Sequence, residues 1–160
     1  MSGARVDSIP VSRVELKHSL VAKKQVEASA ATRVLIIDDD DVARELLSST
    51  LKQAGHQVIE LASAIGATRA IFEHDVDAVV VDVMLPDISG DKLARVLREN
   101  SRGQWLGIVL VSSRPVQELQ ELAAGARADG VVAKANIRSG LVATVARAVQ
   151  RRAQRVAAPR

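Results

Sequence analysis

The sequence predicts an α/β protein built on a doubly wound parallel sheet. Three observations lead there. Five short apolar runs recur between residues 33 and 133, and each is followed by a segment with helical spacing of its apolar residues. The third run, Ala78-Val79-Val80-Val81, shows no polar alternation, as expected of a strand covered on both faces. The first and third runs stop on carboxylates, Asp38-Asp39-Asp40-Asp41 and Asp82, and the carboxyl ends of buried parallel strands are where open α/β sheets carry their chemistry.

The elements follow in order. Residues 1–31 read as an N-terminal extension, with Ser12 and Glu15 spaced as a capping box and a helix over about 12–30 as the leading local expectation. The first strand is 33–37. A helix over about 42–54 sets Ala43, Leu47, Leu51 and Ala54 on one face, with Gly55 as its stop. Residues 58–61 form the second strand. Ser63 is placed to cap a helix to about Glu73, with Ile65 and Ile71 inward. The third strand ends at Asp82, where Pro86 and Gly90 enforce a turn. A helix over 91–100 packs Leu93, Val96 and Leu97. Strand 108–111 follows, then a helix from Pro115 to about Ala124 closed by Gly125. Val131-Val132-Ala133 is the fifth strand. Ser139 caps the last helix, whose apolar face is Leu141, Val142, Val145 and Val149.

Strands and helices alternate about five times, so the sheet is parallel with helices on both faces. The natural connection is the flavodoxin-like (βα)5 order, 2-1-3-4-5. It sets strands one and three side by side and brings Asp38, Asp39 and Asp82 to one edge. Several carboxylates gathered there need a cation or a proton to neutralise them.

Composition narrows the function. The 160 residues suit one domain with short extensions, and 48% hydrophobic content supplies a core. Without Cys there is neither a disulfide framework nor a thiolate metal site. No apolar run approaches a membrane span and the start of the chain lacks a signal-peptide core, so a cytoplasmic protein is expected. The net charge of +3 is unevenly spread. Residues 1–31 carry five basic and three acidic groups, and 147–160 carry five Arg and no acid, which leaves twelve basic against sixteen acidic groups between them. An acidic body with basic ends, and 1% aromatic content, offers no stacking platform for single-stranded nucleic acid.

On the residues Asp38-Asp39, Asp82 in D-V-M-L-P-D-I-S-G, Ser112 ending the fourth strand and Lys134 ending the fifth, the chain resembles the receiver domains of two-component response regulators. The resemblance covers about residues 32–152, leaving 153–160 as a basic tail. One such residue alone is unremarkable, since an isolated Asp at a strand end is usually a turn or cap. Five in order, each at a strand's carboxyl end, are specific. The resemblance implies a stand-alone receiver whose Asp82 accepts a phosphoryl group from a sensor histidine kinase or phosphotransfer protein. It implies Mg²⁺ held by Asp39 and Asp82, by Asp38 through water and by the main-chain carbonyl of Met84, with Lys134 on a phosphoryl oxygen and Ser112 moving to the new phosphate. Magnesium suits the set because it takes oxygen ligands and lets a weak carboxylate nucleophile approach an anionic donor. The output is a change in binding to a downstream protein, and the domain is a switch rather than a metabolic enzyme.

Two positions depart from the family. Ala135 stands where a Pro joined by a cis peptide commonly follows the Lys, so either the bond is trans and the loop 135–139 rearranged, or packing holds the strain. Val131 replaces the switch aromatic and cannot swing a ring between buried and exposed positions. Met84 and Arg114 occupy positions that tune phosphate lifetime in the family, and apolar Met84 suggests slow self-dephosphorylation.

Three other readings of these residues compete with this one. Asp38-x-Asp40-x-Val42 matches the first motif of haloacid-dehalogenase-type phosphatases, but residues 135–160 contain no Asp or Glu to complete that metal site. A phosphorylation-independent interaction scaffold would explain Val131 and Ala135 but not the intact acidic set. Arg147, Arg151, Arg152 and Arg155 lie at helical spacing as a conceivable nucleic-acid contact. Arginine near a helix C-terminus is favoured by the dipole alone, so nucleic acid is not expected as a partner.

Overall fold

Five parallel strands lie in the order β2-β1-β3-β4-β5 in the computed structural model, which describes residues 31–100 and 103–158. They are β1 (Arg33–Ile37), β2 (Gln57–Leu61), β3 (Ala78–Asp82), β4 (Gly107–Ser112) and β5 (Gly130–Ala133). The helices between and after them are α1 (Asp41–Gln53), α2 (Ala67–Glu73), α3 (Gly90–Glu99), α4 (Val116–Ala126) and α5 (Ile137–Ala157). The expected fold class and strand order are both present. The readings made for residues 1–30, including the helix over 12–30, fall outside the described residues.

Alternation along each strand sorts the core into two layers. Leu35, Ile37, Val79, Val81, Ile108 and Leu110 face α2, α3 and α4, where they meet Ile71, Leu93, Leu97 and Leu119. Val34, Ile36, Val80, Val109, Val111 and Val132 face the other way, against Leu47 and Leu51 of α1 and Leu141 and Val145 of α5. Covering both faces removes any need for polar residues inside β1, β3 and β4, which is why Val34–Ile37, Ala78–Val81 and Ile108–Val111 are apolar.

Register carries the layers to the site. Ile37 pairs with Val81 across β1 and β3, so Asp38 and Asp82 are the next residues on adjacent strands. Asp82 is opposite Val111 on β4, and Ser112 is opposite Ala133 on β5. Lys134 follows Ala133, so Asp38, Asp82, Ser112 and Lys134, from the ends of four strands, share one edge.

Several local expectations are corrected. Helix α2 begins at Ala67, not after Ser63: Gly66 takes a left-handed φ of 86°, and the Ser63 hydroxyl accepts from the Ile65 N–H at 3.2 Å to make a turn instead of a cap. Ile65 is consequently 76% exposed rather than inward. Val96 is also exposed, and the buried position beside Leu97 is taken by Arg98. Gly125 does not end α4. The helix runs through it to Ala126, and Arg127 adopts the left-handed conformation at φ 54°. The Arg127 and Ala128 N–H groups close back on Ala124 and Ala123, a Schellman ending without the usual glycine. Ser139 lies inside the first turn of α5, where its hydroxyl donates to the Asn136 carbonyl, and is not its cap.

The replacement of an apolar residue by Arg98 is explained by its partners. Its guanidinium donates to the Leu106 carbonyl at 2.9 Å, twice to the Arg127 carbonyl at 3.0 and 3.2 Å, to the Gly103 carbonyl, and to Asp129 Oδ2 at 2.9 Å. Asp129 also accepts from the Ile108 N–H and pairs with Arg155. Helix α5 runs beyond the boundary drawn at residue 152, and its last turns lie against the amino edge of the sheet. Arg152 bonds Asp77 at 2.8 Å, Arg151 the Asp129 carbonyl at 2.8 Å, and Arg147 the Thr144 hydroxyl at 3.1 Å. All four arginines set aside as a conceivable nucleic-acid contact therefore have partners within the domain.

Candidate functional site

The site is built where β1, β3, β4 and β5 stop. Asp82 ends β3 and is 3% exposed. Its Oδ1 accepts from the Met84 N–H at 3.2 Å, a turn bond that fixes the carboxylate plane. Its Oδ2 accepts from Lys134 Nζ at 3.2 Å. Asp38 is wholly buried; its Oδ1 accepts from the Asp40 N–H at 2.9 Å and its Oδ2 lies 3.0 Å from Lys134 Nζ. The Arg44 guanidinium donates to the Asp38 carbonyl at 2.8 Å and anchors this turn. Asp39 is exposed beside them. Asp40 caps α1 by accepting from the Val42 N–H, and Asp41 adds a carboxylate to its first turn.

Electrostatics follow from burial. Desolvation is the largest influence on Asp38 and raises its pKa above the ordinary carboxylate value; the Asp40 N–H and Lys134 oppose it, while nearby Asp82 adds to it. Burial pulls the Lys134 ammonium down, but the bond to Asp38 and the charges of Asp82 and Asp38 outweigh it, so its pKa is raised. Lys134 is thus the cation that balances two buried carboxylates.

Carboxylate oxygens of Asp38, Asp39 and Asp82 lie within 4.8 Å of one another. The buried Asp38 Oδ2 meets only the Lys134 ammonium, at 3.0 Å. An all-oxygen set with an under-coordinated buried carboxylate fits a small divalent cation such as Mg²⁺, which keeps waters and needs few protein ligands. Asp38, Asp39 and Asp82 would hold it. For Met84 the contact observed is its N–H to Asp82, and its side chain is 55% exposed above a groove shared with Pro86, Arg114 and Leu122.

Ser112 is fully buried at the end of β4, and its Oγ accepts from the Arg114 N–H at 3.2 Å. Val131 is half-buried and packs on the core layer beneath α4. Among the described residues no peptide bond is cis. The Lys134–Ala135 bond is therefore trans, and Lys134–Asn136 closes as a 3-10 turn leading into α5.

The role of Gly90 was missed in the sequence, where it reads only as a turn residue. A Cβ there would lie 2.2 Å from the Asp82 carbonyl oxygen and 2.9 Å from Val83 Cα. Its N–H donates to the Val83 carbonyl at 2.9 Å. Glycine is required for the close approach of α3 to the end of β3. The spacing from Asp82 to Gly90 was the available signal.

Fold and site together define a doubly wound α/β protein with an acidic, lysine-balanced centre at its topological switch point. Residues 34–146 match the response regulator receiver domain family, and the chain belongs to it. Curated relatives include the transcriptional regulatory protein GltR of Pseudomonas aeruginosa, 34% identical over 80 residues, covering 50% of this chain and 33% of that protein. The transcriptional regulatory protein KdpE of Mycobacterium tuberculosis is 36% identical over 105 residues, covering 64% of this chain and 44% of the relative. The chain thus spans less than half the length of these relatives. Among solved structures, a sensor protein from Polaromonas sp. JS666 superposes with a TM-score of 0.70 at 29% identity, covering 76% of this chain and 98% of that one.

Proposed function

We propose that this chain is a phosphorylatable receiver in a two-component phosphorelay, with Asp82 as the acceptor. The observation that carries the reading is the meeting of Asp38, Asp39, Asp82 and Lys134 at one sheet edge. An Asp82 carboxylate oxygen attacks the phosphorus of a phosphohistidine on a sensor kinase or phosphotransfer protein. The P–N bond breaks, the imidazole leaves with its electron pair and takes up a proton, and Asp82 becomes an acyl phosphate. When bound, Mg²⁺ supplies charge neutralisation and a template for phosphoryl oxygens. Asp39 and Asp82 would hold it directly, with Asp38 acting through water. Lys134 shifts its ion pair from the Asp82 carboxylate to a phosphoryl oxygen, as a point charge rather than a fork. Ser112, released from the Arg114 N–H, donates its hydroxyl to the phosphate. That motion transmits the change towards β4 and β5 and alters the binding of a downstream protein.

The test is intact-mass measurement after acetyl phosphate, with and without Mg²⁺, on wild type and Asp82→Ala. One phosphoryl adduct that needs both Mg²⁺ and Asp82 is expected. A second reading, a phosphorylation-independent scaffold, draws on Val131 in place of a swinging aromatic. It requires the absence of any such adduct together with an unchanged partner affinity in Asp82→Ala.

A further inference from the structure

We propose that Arg44, in the first turn of α1, is a positioning residue for the divalent-cation site and acts on Asp39 through the main chain of the acidic turn. The inference rests on the receiver reading, because it concerns the cation that Asp38, Asp39 and Asp82 would share.

The three carboxylates are not held alike. Asp38 and Asp82 are buried, and each is fixed by a main-chain N–H on one oxygen and by Lys134 on the other. Asp39 is exposed, and among the described residues nothing bonds its carboxylate. The origin of its side chain is therefore set by the peptides on either side of it. Three bonds hold those peptides. The Asp38 N–H donates to the Leu61 carbonyl of β2 at 3.1 Å, the Asp40 N–H donates to Asp38 Oδ1 at 2.9 Å, and the Asp38 carbonyl accepts from Arg44 Nη1 at 2.8 Å. The last fixes the plane of the Asp38–Asp39 peptide. It is the one bond of the three supplied by a side chain that is not itself a candidate ligand.

Arg44 is well anchored for this task. Helical side chains lean towards the helix N-terminus, so a residue in the first turn of α1 folds back over Asp38–Asp40. Its guanidinium also bonds the Asp41 carboxylate and lies 3.9 Å from Glu60 of β2, and its side chain is only 19% exposed. One planar group thus ties the end of β1 to α1 and faces β2, a span that suits the fork of a guanidinium and not the single point of an ammonium. Asp41 and Glu60 offset its charge. It bonds a carbonyl rather than a candidate ligand's carboxylate, so it does not compete with a cation as Lys134 does. The sign of its effect is therefore diagnostic. By charge alone, removing an arginine beside a cation site strengthens cation binding. By positioning, removing it weakens cation binding.

Calorimetry with Mg²⁺ on the full chain separates the two. Arg44→Met should bind Mg²⁺ about tenfold more weakly than wild type, the scale on which groups that orient metal ligands act. Arg44→Lys, which restores the charge and one donor but not the fork, should fall between them, about threefold weaker than wild type. Phosphorylation by acetyl phosphate, followed by intact mass, should be slowed in Arg44→Met at limiting Mg²⁺. It should return to the wild-type rate when Mg²⁺ saturates, because every group that reacts is still present. Should Arg44→Met fail to fold, Arg44→Lys carries the test through both readouts. Unchanged or tighter Mg²⁺ binding in a folded Arg44→Met or in Arg44→Lys, or a rate defect that persists at saturating Mg²⁺, would each overturn the role of Arg44 and leave the receiver reading standing. A wild type that binds no Mg²⁺ and forms no Mg²⁺-dependent adduct would overturn both.

Discussion

Lys134 Nζ donates to Asp82 Oδ2 at 3.2 Å, joining residues 52 apart in the chain, and the same ammonium lies 3.0 Å from Asp38 Oδ2. One lysine therefore balances two buried carboxylates, at the place where a phosphoryl group and a divalent cation would also bind.

Removing that lysine should separate metal binding from phosphorylation. In Lys134→Met the acidic set loses its competing cation, so Mg²⁺ affinity is expected to rise. Phosphorylation by acetyl phosphate should fall by about 100-fold, the usual scale for deleting one charged donor from a transferring group. Calorimetry with Mg²⁺ and a time course of intact mass measure the two effects on the same sample.

The raised pKa of Asp38 sets a pH dependence for the metal. Mg²⁺ needs the carboxylate, so its affinity should begin to fall with decreasing pH above the ordinary Asp range of about 3.9, with one proton released per ion bound in that window. For the metal-free protein the sign is reversed. The folded state binds this proton more tightly than the unfolded chain, so stability contributed at Asp38 is gained as pH falls through its raised pKa and lost as pH rises through it. Lys134, also raised, contributes stability below its ordinary value of about 10.4 and loses it as pH climbs through the higher folded value. Mg²⁺ titrations and thermal melts across pH, compared with Asp38→Asn and Lys134→Met, distinguish the contributions.

Two glycines make a paired test of why each is present. Gly90→Ala puts a Cβ 2.2 Å from the Asp82 carbonyl oxygen, so backbone must move; a loss of about 1–3 kcal/mol and slower phosphorylation of Asp82 are expected. Gly125→Ala meets nothing within 4 Å, in the interior of α4, and should stabilise by about 0.5–1 kcal/mol. Urea denaturation of both variants settles the comparison.

The buried pair of Arg98 and Asp129 should behave asymmetrically. Arg98→Met strips Asp129 of one cation and leaves the Arg127 and Leu106 carbonyls short of donors, at a cost of about 3–5 kcal/mol. Arg155, still beside Asp129, keeps the loss towards the lower figure. Replacing both members by Leu should cost less than Arg98→Met alone. A double-mutant cycle in urea gives the coupling directly.

What could be read in advance was whatever periodicity and strand ends encode. Val34–Ile37, Ala78–Val81 and Ile108–Val111 are apolar because both their faces are covered, and that property is visible residue by residue. The candidate residues Asp38, Asp82, Ser112 and Lys134 were legible because each directly follows or ends such a run. Boundaries fared worse where backbone conformation was decided by a partner elsewhere. Arg127 holds a left-handed turn that sequence awards to Gly125, because Arg98, 29 residues away, donates to its carbonyl. Ile65 and Val96 look like core residues by spacing, but Gly66 breaks the first helix pattern and Arg98 occupies the interior beside the second.

By itself, then, the sequence determined the layer order, the parallel sheet and the edge at which the carboxylates collect, since these follow from hydrophobic burial and the handedness of parallel connections. Only the tertiary structure decided which charges meet. It set Lys134 between Asp38 and Asp82, turned the arginines of α5 onto Asp77 and Asp129, and made Gly90 indispensable through a contact with a strand rather than a turn of its own. Those are pairings between distant segments, and their energies depend on separations of a few ångströms that no local pattern records.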